Sequence, residues 1–152
     1  MAFEQVMSFI AGAVDVAPPA DVTSYTLEGA TAGVVGSVYE FDANGELVIS
    51  TDDNVDSAVI ALEAGDVGTT IRCAWIVPGA IYKAPCTDAA GAGVGRDPGA
   101  TNVIGSRAQI NDTADGVDVE NVHAAGNPLT IVRLDGRTAY VAFNTCVLSL
   151  NI

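Results

Sequence analysis

Residues 34–50 read VVGSVYEFDANGELVIS and carry the clearest structural signal in the chain. Two runs rich in β-branched and aromatic residues, 34–41 and 46–50, flank the turn Asp42-Ala43-Asn44-Gly45. Asn-Gly between two such runs favours a tight turn, because these residues accept the left-handed backbone conformation that the turn requires. The segment therefore predicts a β-hairpin.

A second hairpin is predicted where Leu129–Leu134 and Arg137–Phe143 flank Asp135-Gly136. Apolar residues also recur at every second position across Thr69–Val77, as in a strand with one buried face. Further strands are predicted at Val22–Leu27, Ser57–Leu62, Ala80–Ala84, Asn102–Ile110 and around Val117–Val122. Because hairpins pair strands that are neighbours in sequence, we expect an all-β fold in which antiparallel strands form a single domain.

The size and composition of the chain suit one such domain. It has 152 residues, of which 49% are hydrophobic, and this is enough for one packed core. Sixteen Gly and six Pro interrupt the sequence often, which favours short strands joined by turns over long helices. No uncharged apolar run approaches the ~20 residues that cross a bilayer as a helix, so we expect no membrane segment.

The chain is strongly acidic, with a formal net charge of −13 from 19 acidic and six basic residues. Such a surface repels phosphate backbones and anionic lipids, so we expect neither nucleic acid nor a membrane as a partner. It suits a partner of basic or mixed charge, and plain solubilising charge is the competing interpretation. The first residues include Glu4 and no basic residue, which argues against a signal peptide and for synthesis in the cytoplasm.

The three cysteines, Cys73, Cys86 and Cys146, are widely spaced and odd in number, and no CxxC pair occurs. This pattern does not resemble a disulfide framework, so buried free thiols are the favoured interpretation. A bridge between Cys73 and Cys86 stays open as the alternative until their geometry is known.

Residues 1–21 are predicted to form an arm or a short helix that precedes a β domain over residues 22–152. The apolar residues of this segment fall at helical spacing: Phe3, Val6, Met7, Ile10 and Val14. Gly12 and Pro18 would end such a helix. We favour an extended arm that docks on a neighbouring subunit, because so short a helix has little cooperativity by itself.

Residues 85–101 are predicted to form a long Gly-rich loop. An irregular loop of this length inside a compact domain is usually functional or mobile. It fits neither the GxGxxG nor the GxxxxGK[ST] phosphate-binding pattern, and Pro98 would break the helix that such a site requires. What the loop offers is one exposed positive charge, Arg96, which is suited to contact an acidic partner.

The sequence contains no pattern that points to catalysis. The single histidine, His123, lies in a polar stretch, and no GxSxG motif accompanies it. Two groups of carboxylates stand close together in sequence: Asp52, Asp53 and Asp56, and Asp112, Asp115, Asp118 and Glu120. Neither group has the spacing of a Ca²⁺-binding loop, so solvated turns are favoured. We expect a binding or structural protein without catalytic residues, metal or cofactor; a small carboxylate-based hydrolase is the competing class.

Four stretches, in their order along the chain, have a residue pattern similar to that of a known family. They are VYEFDANGELVI at 38–49, LEAGDVGT at 62–69, IVPGAIYKAP at 76–85 and IVRLDGRTAYVAFN at 131–144. Together they resemble small β-rich phage virion proteins, the capsid decoration (cement) proteins that coat the outside of the head. The resemblance covers about residues 34–148. It carries no catalytic residues over to this chain.

The resemblance implies a β-tulip or β-barrel body, assembly as a homo-oligomer with a trimer favoured, and a place on the capsid exterior of the virion. The implied partner is the major capsid protein, whose neighbouring subunits the protein would clamp. We expect the contacts with the capsid or with other copies to come from the N-terminal arm and the Gly-rich loop: Phe3, Val6, Met7, Phe9, Ile10, Val94 and Arg96. The alternative is another virion component, such as a head-fibre base, a tail part or a glycan-binding module.

Overall fold

The computed structural model describes residues 2–8, 22–50, 57–77, 80–91, 95–98, 104–120 and 127–144. Over these ranges the protein is all-β and contains no helix. The strands are β1 (Glu4–Ser8), β2 (Val22–Thr26), β3 (Val38–Phe41), β4 (Leu47–Ile49), β5 (Val59–Ala61), β6 (Thr70–Trp75), β7 (Ala80–Thr87), β8 (Arg107–Ile110), β9 (Val117–Asp118), β10 (Leu129–Asp135) and β11 (Thr138–Phe143). In this part of the chain, no helix is present that could span a membrane.

The larger sheet closes into a five-stranded barrel in the order β7-β11-β10-β8-β9, with β9 returning to β7. Neighbouring strands of the barrel are antiparallel, except that β7 and β9 are parallel. β1 is a sixth strand, which pairs with residues 80–83 of β7. The eight-residue length of β7 lets it pair with β1 near its start and with β9 at its end.

The smaller sheet has the order β2-β6-β5-β3-β4, and all of its neighbouring strands are antiparallel. Its two outer strands meet at one end, where Leu27 and Leu47 form an isolated parallel bridge. The Glu28 amide also donates a hydrogen bond of 3.0 Å to the Leu47 carbonyl. The sheet therefore curls on itself and encloses a core of its own.

Two hydrophobic cores share the strands β3 and β5. Val38 and Ile60 belong to the core that fills the barrel, whereas their chain neighbours Tyr39 and Val59 belong to the core of the smaller sheet. Because side chains alternate along a strand, these two strands are buried on both faces and join the cores back to back. The two sheets therefore pack as one body.

Both predicted hairpins are confirmed. β3 and β4 are joined by the turn at residues 42–46, in which the Asp42 Oδ1 atom accepts hydrogen bonds from the amides of Asn44 (2.8 Å) and Glu46 (2.9 Å). β10 and β11 are joined at Gly136, whose φ is +58°. Both Gly45 (φ +78°) and Gly136 adopt the left-handed conformation that their turns require.

The prediction of an all-β fold is confirmed, but the architecture differs in two respects from a single antiparallel barrel. A second curled sheet accompanies the barrel, and one barrel pairing is parallel. The predicted Gly-rich loop also begins later than Pro85, because Cys86 and Thr87 belong to β7 and pair with β9. Of the rest of that stretch, the described residues 88–91 and 95–98 have no strand or helix. Alternation of apolar residues predicts strands, whereas it does not predict which strands become neighbours.

The first residues belong to the larger sheet rather than to a separate segment. Glu4–Ser8 form β1, so the predicted short helix is wrong for these residues. A helix of this length is only marginally stable in water, whereas β7 offers its backbone groups a ready partner. Phe3 is buried in the barrel core, 3% exposed, and an arm that projects outward does not describe residues 2–8. Residues 9–21 lie outside the described residues, so an arm there stays a prediction.

Candidate functional site

An open cleft of about 550 Å³ lies between the N-terminal strand and the smaller sheet. Its lining includes Val22, Ala74 and Ile60, which are in register on the adjacent strands β2, β6 and β5. Residues 2–5 and Tyr82 line the other side. Most of the lining is apolar, as is usual for a surface that binds by excluding water.

Three exposed aliphatic side chains border this cleft, and we call them the aliphatic rim: Val22, Val35 and Leu62. Their exposed fractions are 51%, 51% and 43%. Val34, next to Val35 in the chain, is also exposed. A group of exposed apolar side chains around an apolar cleft is typical of a binding surface.

The loop that carries Val34 and Val35 is held in place by a buried tyrosine. The hydroxyl of Tyr39 accepts a hydrogen bond from the Val34 amide and donates one to the Ala32 carbonyl, both at 2.9 Å. Burial raises the pKa of Tyr39, which keeps the hydroxyl protonated and able to donate. The hydrogen bonds of Tyr39 thus fix the backbone beside the aliphatic rim.

Gly36 joins this loop to both sides of the cleft. Its carbonyl accepts a hydrogen bond from the Phe3 amide, and its amide donates one to the Ala61 carbonyl, both at 2.8 Å. The backbone has φ +79°, and a Cβ atom at this position would lie 2.2 Å from the Cβ atom of Ala2. Glycine is therefore required here both by the backbone conformation and by the close approach of the N-terminal strand.

No protein-family model, curated protein or solved structure matches this chain. Most of its basic residues are engaged within the chain, in these pairs: Arg72 with Glu63, Lys83 with Glu4, Arg96 with Asp88 and Glu120, Arg133 with Asp135, and Arg137 with Asp97. Because these basic side chains are paired with acidic ones, the surface has a net charge of −13 and little unpaired positive charge. Such a surface suits a partner of basic or mixed charge.

Arg96 contacts acidic residues of its own chain. Its Nη2 atom lies 3.0 Å from Asp88 Oδ2, and its Nη1 atom pairs with Glu120. Its backbone amide donates a hydrogen bond of 2.7 Å to the Cys86 carbonyl. The guanidinium that we expected to face a partner therefore fastens residues 95–98 to the barrel, although half of the side chain stays exposed.

The acidic turn that follows β8 is organised by a buried amide. Asn111 is fully buried, and its Nδ2 atom donates hydrogen bonds of 2.9 Å to Thr87 Oγ1 and to Asp115 Oδ1. Its Oδ1 atom accepts one of 3.0 Å from the Asp115 amide. Among the described residues, no group of three His, Cys, Asp or Glu side chains is placed to hold a metal ion. The Asp115 carboxylate is instead occupied by neighbours in the turn, including Thr113 at 2.7 Å.

The residues predicted to contact the capsid or other copies do not form one group among the described residues. Phe3 packs against Phe143, with ring centroids 5.7 Å apart, and its burial does not support a contact with another subunit. Val6 and Met7 lie on β1. Three predicted contact residues lie outside the described residues: Phe9, Ile10 and Val94. Of the two predicted contact residues whose side chains the structure describes, Phe3 lines the cleft and Arg96 does not.

Cys73 and Cys86 are free and buried thiols. This confirms the favoured interpretation for these two residues and excludes the bridge between them. Burial is the main cause that raises the pKa of each thiol to about 11. Cys146, His123 and the carboxylates Asp52, Asp53 and Asp56 lie outside the described residues.

Proposed function

We propose that this protein is a structural virion protein that binds the outer surface of a phage capsid and stabilises it by clamping neighbouring major capsid subunits. It acts by binding, without catalysis. The proposal begins with the resemblance of residues 34–148 to capsid decoration proteins. The observation that carries it further is the aliphatic rim, which places exposed apolar side chains beside an apolar cleft on an otherwise acidic protein.

The rim is suited to a contact that forms by burial of apolar surface. Removal of such surface from water is favourable by roughly 25 cal/mol per Å². Stable protein interfaces bury on the order of 1,200–2,000 Å² in total, which is more than the rim alone provides. The proposal therefore includes further contacts around the rim, or several copies that act together, as in the homotrimer that the resemblance implies.

The acidic surface sets the charge of the partner. A capsid exterior with basic or mixed charge would attract this protein at long range, whereas the packaged nucleic acid would repel it. Such attraction is screened by salt beyond about 8–10 Å at physiological ionic strength. We therefore expect association with the capsid to become slower as ionic strength rises.

Another virion component, in particular a glycan-binding module, is the alternative function. Glycan binders usually present open aromatic surfaces. Here the rings of Tyr25, Phe41 and Trp75 pack against one another, with centroids 4.9–5.9 Å apart. Trp75 also donates its indole hydrogen bond to the Tyr25 hydroxyl at 3.0 Å. These contacts favour a role in the core of the smaller sheet, and binding to a glycan array would favour the alternative.

The test is binding to capsids of the phage that encodes the chain, stripped of this protein. We expect the purified protein to sediment with these capsids and to raise their resistance to heat or chelators. Leu62→Ser and Val35→Ser, in the rim, should weaken both effects. Val67→Ser is the matched control, since Val67 is as exposed as Val35 (51%) but does not line the cleft.

Two outcomes contradict the proposal. One is that the wild-type protein neither binds the capsids nor protects them, and this result removes the capsid role. The other is that Val67→Ser weakens binding as much as the rim substitutions do, and this result removes the rim as the contact surface.

A further inference from the structure

Strand β2 presents an uncharged edge. It reads VTSYT and pairs with β6 in unbroken register from Val22 opposite Ala74 to Thr26 opposite Thr70. On its other side it has no strand partner among the described residues until the chain reaches Leu27 and Glu28, which contact β4. All residues of the strand except Tyr25 are exposed.

The hydrogen bonds at the end of β2 show which of its backbone groups point away from β6. The Leu27 amide donates to the Thr69 carbonyl on the β6 side at 2.8 Å, and the Glu28 amide donates to the Leu47 carbonyl on the opposite side. Because successive residues of a strand direct their backbone groups to opposite sides, Val22, Ser24 and Thr26 direct theirs away from β6. Within the part of the chain that the structure describes, the edge thus offers the N–H and C=O groups of three alternate residues.

The other outer strands carry features that hinder pairing with a further strand. β1 has an irregular register between Gln5 and Met7, and Glu4 on it forms an ion pair with Lys83. β4 has only three residues, and Glu28 already occupies its Leu47 carbonyl. Proteins protect exposed edges with such bulges, charges and short strands, whereas β2 has no charge, no proline and no bulge.

We propose that β2 pairs with β2 of a second copy of this chain, antiparallel, around a two-fold axis at Ser24. In this register Ser24 lies opposite Ser24 of the second copy, and Val22 lies opposite Thr26 of the second copy. Val22, Ser24 and Thr26 then exchange backbone hydrogen bonds with Thr26, Ser24 and Val22 of the second copy. The cross-strand pairs join β-branched residues with one another and Tyr25 with Thr23, which are favourable combinations in antiparallel sheets.

The self-complementary register favours a second copy as the occupant of this edge, and the lack of charge on β2 permits it. Two chains with a net charge of −13 repel each other over most of their surface, whereas the five residues of β2 bring no charge into the contact. A symmetric contact also uses up the free edge of both copies, so it stops at two chains. This two-fold contact is distinct from a three-fold cluster, and it does not depend on capsid binding.

Sedimentation velocity over a range of protein concentrations tests the proposal. We expect a reversible monomer–dimer equilibrium that shifts toward dimer as salt screens the acidic surfaces. Ser24→Pro should raise the dissociation constant about tenfold or more, because proline removes an outward N–H and places its ring on the free edge. The substitution removes no hydrogen bond to β6, so the variant should keep the wild-type circular dichroism spectrum.

Cross-linking tests the register without a change to the backbone. In a Cys146→Ser background, Ser24→Cys places two thiols opposite each other at the axis, about 5.5 Å apart between Cα atoms. Thr26→Cys is the matched control, because its thiols would lie four residues apart, about 14 Å along the strand. A bismaleimide linker shorter than this separation should join two copies in the Ser24→Cys variant and leave the Thr26→Cys variant unlinked.

Three results would overturn the inference: a wild-type protein that stays monomeric up to submillimolar concentration, a trimer as the smallest assembly, or equal cross-linking of the two cysteine variants. A Ser24→Pro variant that is folded and dimerises as well as the wild type would also overturn it. Capsid binding by a monomer would leave the proposed function intact and remove only this contact.

Discussion

Replacement of Asn111 by alanine is expected to destabilise the protein far more than its position in an acidic surface turn suggests. The side chain is fully buried and links two elements, since it donates to Thr87 on β7 and exchanges hydrogen bonds with Asp115 in the turn. The same turn contains Ala114, which is buried with φ +56° and accepts a hydrogen bond from the Val38 amide of the smaller sheet. Loss of Asn111 therefore loosens a point at which both sheets meet.

The magnitude follows from the hydrogen bonds that are lost. Three of them are 3.0 Å or shorter, and each such bond contributes about 1 kcal/mol net to stability. Thr87 and Asp115 keep other partners for their oxygen atoms, through the Asp88 carbonyl and the Thr113 hydroxyl, whereas the Asp115 amide loses its partner. We therefore expect Asn111→Ala to lower the free energy of unfolding by about 3 kcal/mol, or the melting temperature by about 6–12 °C.

Urea denaturation followed by tryptophan fluorescence measures this loss, with Asp112→Ala as the control. Asp112 is exposed and adjacent in sequence, so its replacement should change the free energy of unfolding by less than about 0.5 kcal/mol. Asn111→Asp adds a second check. A carboxylate there would face that of Asp115, so this variant should be less destabilised at about pH 4, where the new group is protonated, than at about pH 7. A stability of Asn111→Ala within about 0.5 kcal/mol of the wild type would refute the structural role of the amide.

Two further predictions concern backbone strain and the buried thiols. Gly36→Ala and Gly45→Ala both place alanine at nearly the same positive φ, but only Gly36→Ala also creates a clash, with Ala2. In thermal unfolding, Gly45→Ala should lower the free energy of unfolding by about 1–2 kcal/mol, and Gly36→Ala should lower it by about 2 kcal/mol more. Equal losses of stability in the two variants would contradict the close approach of Ala2. In a Cys146→Ser background, Cys73 and Cys86 should resist a thiol reagent in the native protein at neutral pH and react after denaturation. Because folding raises their pKa from 9.0 to about 11, their neutral form favours the folded state below pH 9, and this contribution should be lost as pH rises through about 11. Rapid labelling of the native protein would show that these thiols are accessible.

Local features of the fold were predictable because their cause is local. Asn44-Gly45 and Asp135-Gly136 determine their turns through the backbone conformations that these residues accept, so both hairpins follow from a few adjacent residues. The pairing of β1 has no such signal. Its partner, β7, lies more than seventy residues further along the chain, and the apolar spacing of the first residues fits a helix as well as a strand.

The aliphatic rim was not predictable for the same reason. Val22 comes from β2, Val35 from the loop before β3, and Leu62 from the bend that follows β5, and only the tertiary fold brings them together. The adjacent pair Val34-Val35 was the one local sign of the rim, but its β-branched residues predicted the start of a strand, whereas β3 begins only at Val38. Arg96 illustrates the converse, because its charge was visible in the sequence whereas its partners Asp88 and Glu120 were not.

The insertion of the smaller sheet into the larger one has a consequence for synthesis on the ribosome. The five strands of the smaller sheet occupy one continuous stretch, residues 22–75. β1 precedes this stretch in the chain, and all five barrel strands follow it. The smaller sheet is thus complete in the nascent chain before β7 emerges, and β1 has to wait for its partner. Until then Val38 and Ile60, which later face the barrel core, contact water or a chaperone. We therefore expect cold-sensitive or aggregation-prone variants to cluster in β3 and β5, the two strands of the smaller sheet that pack against the later-synthesised barrel.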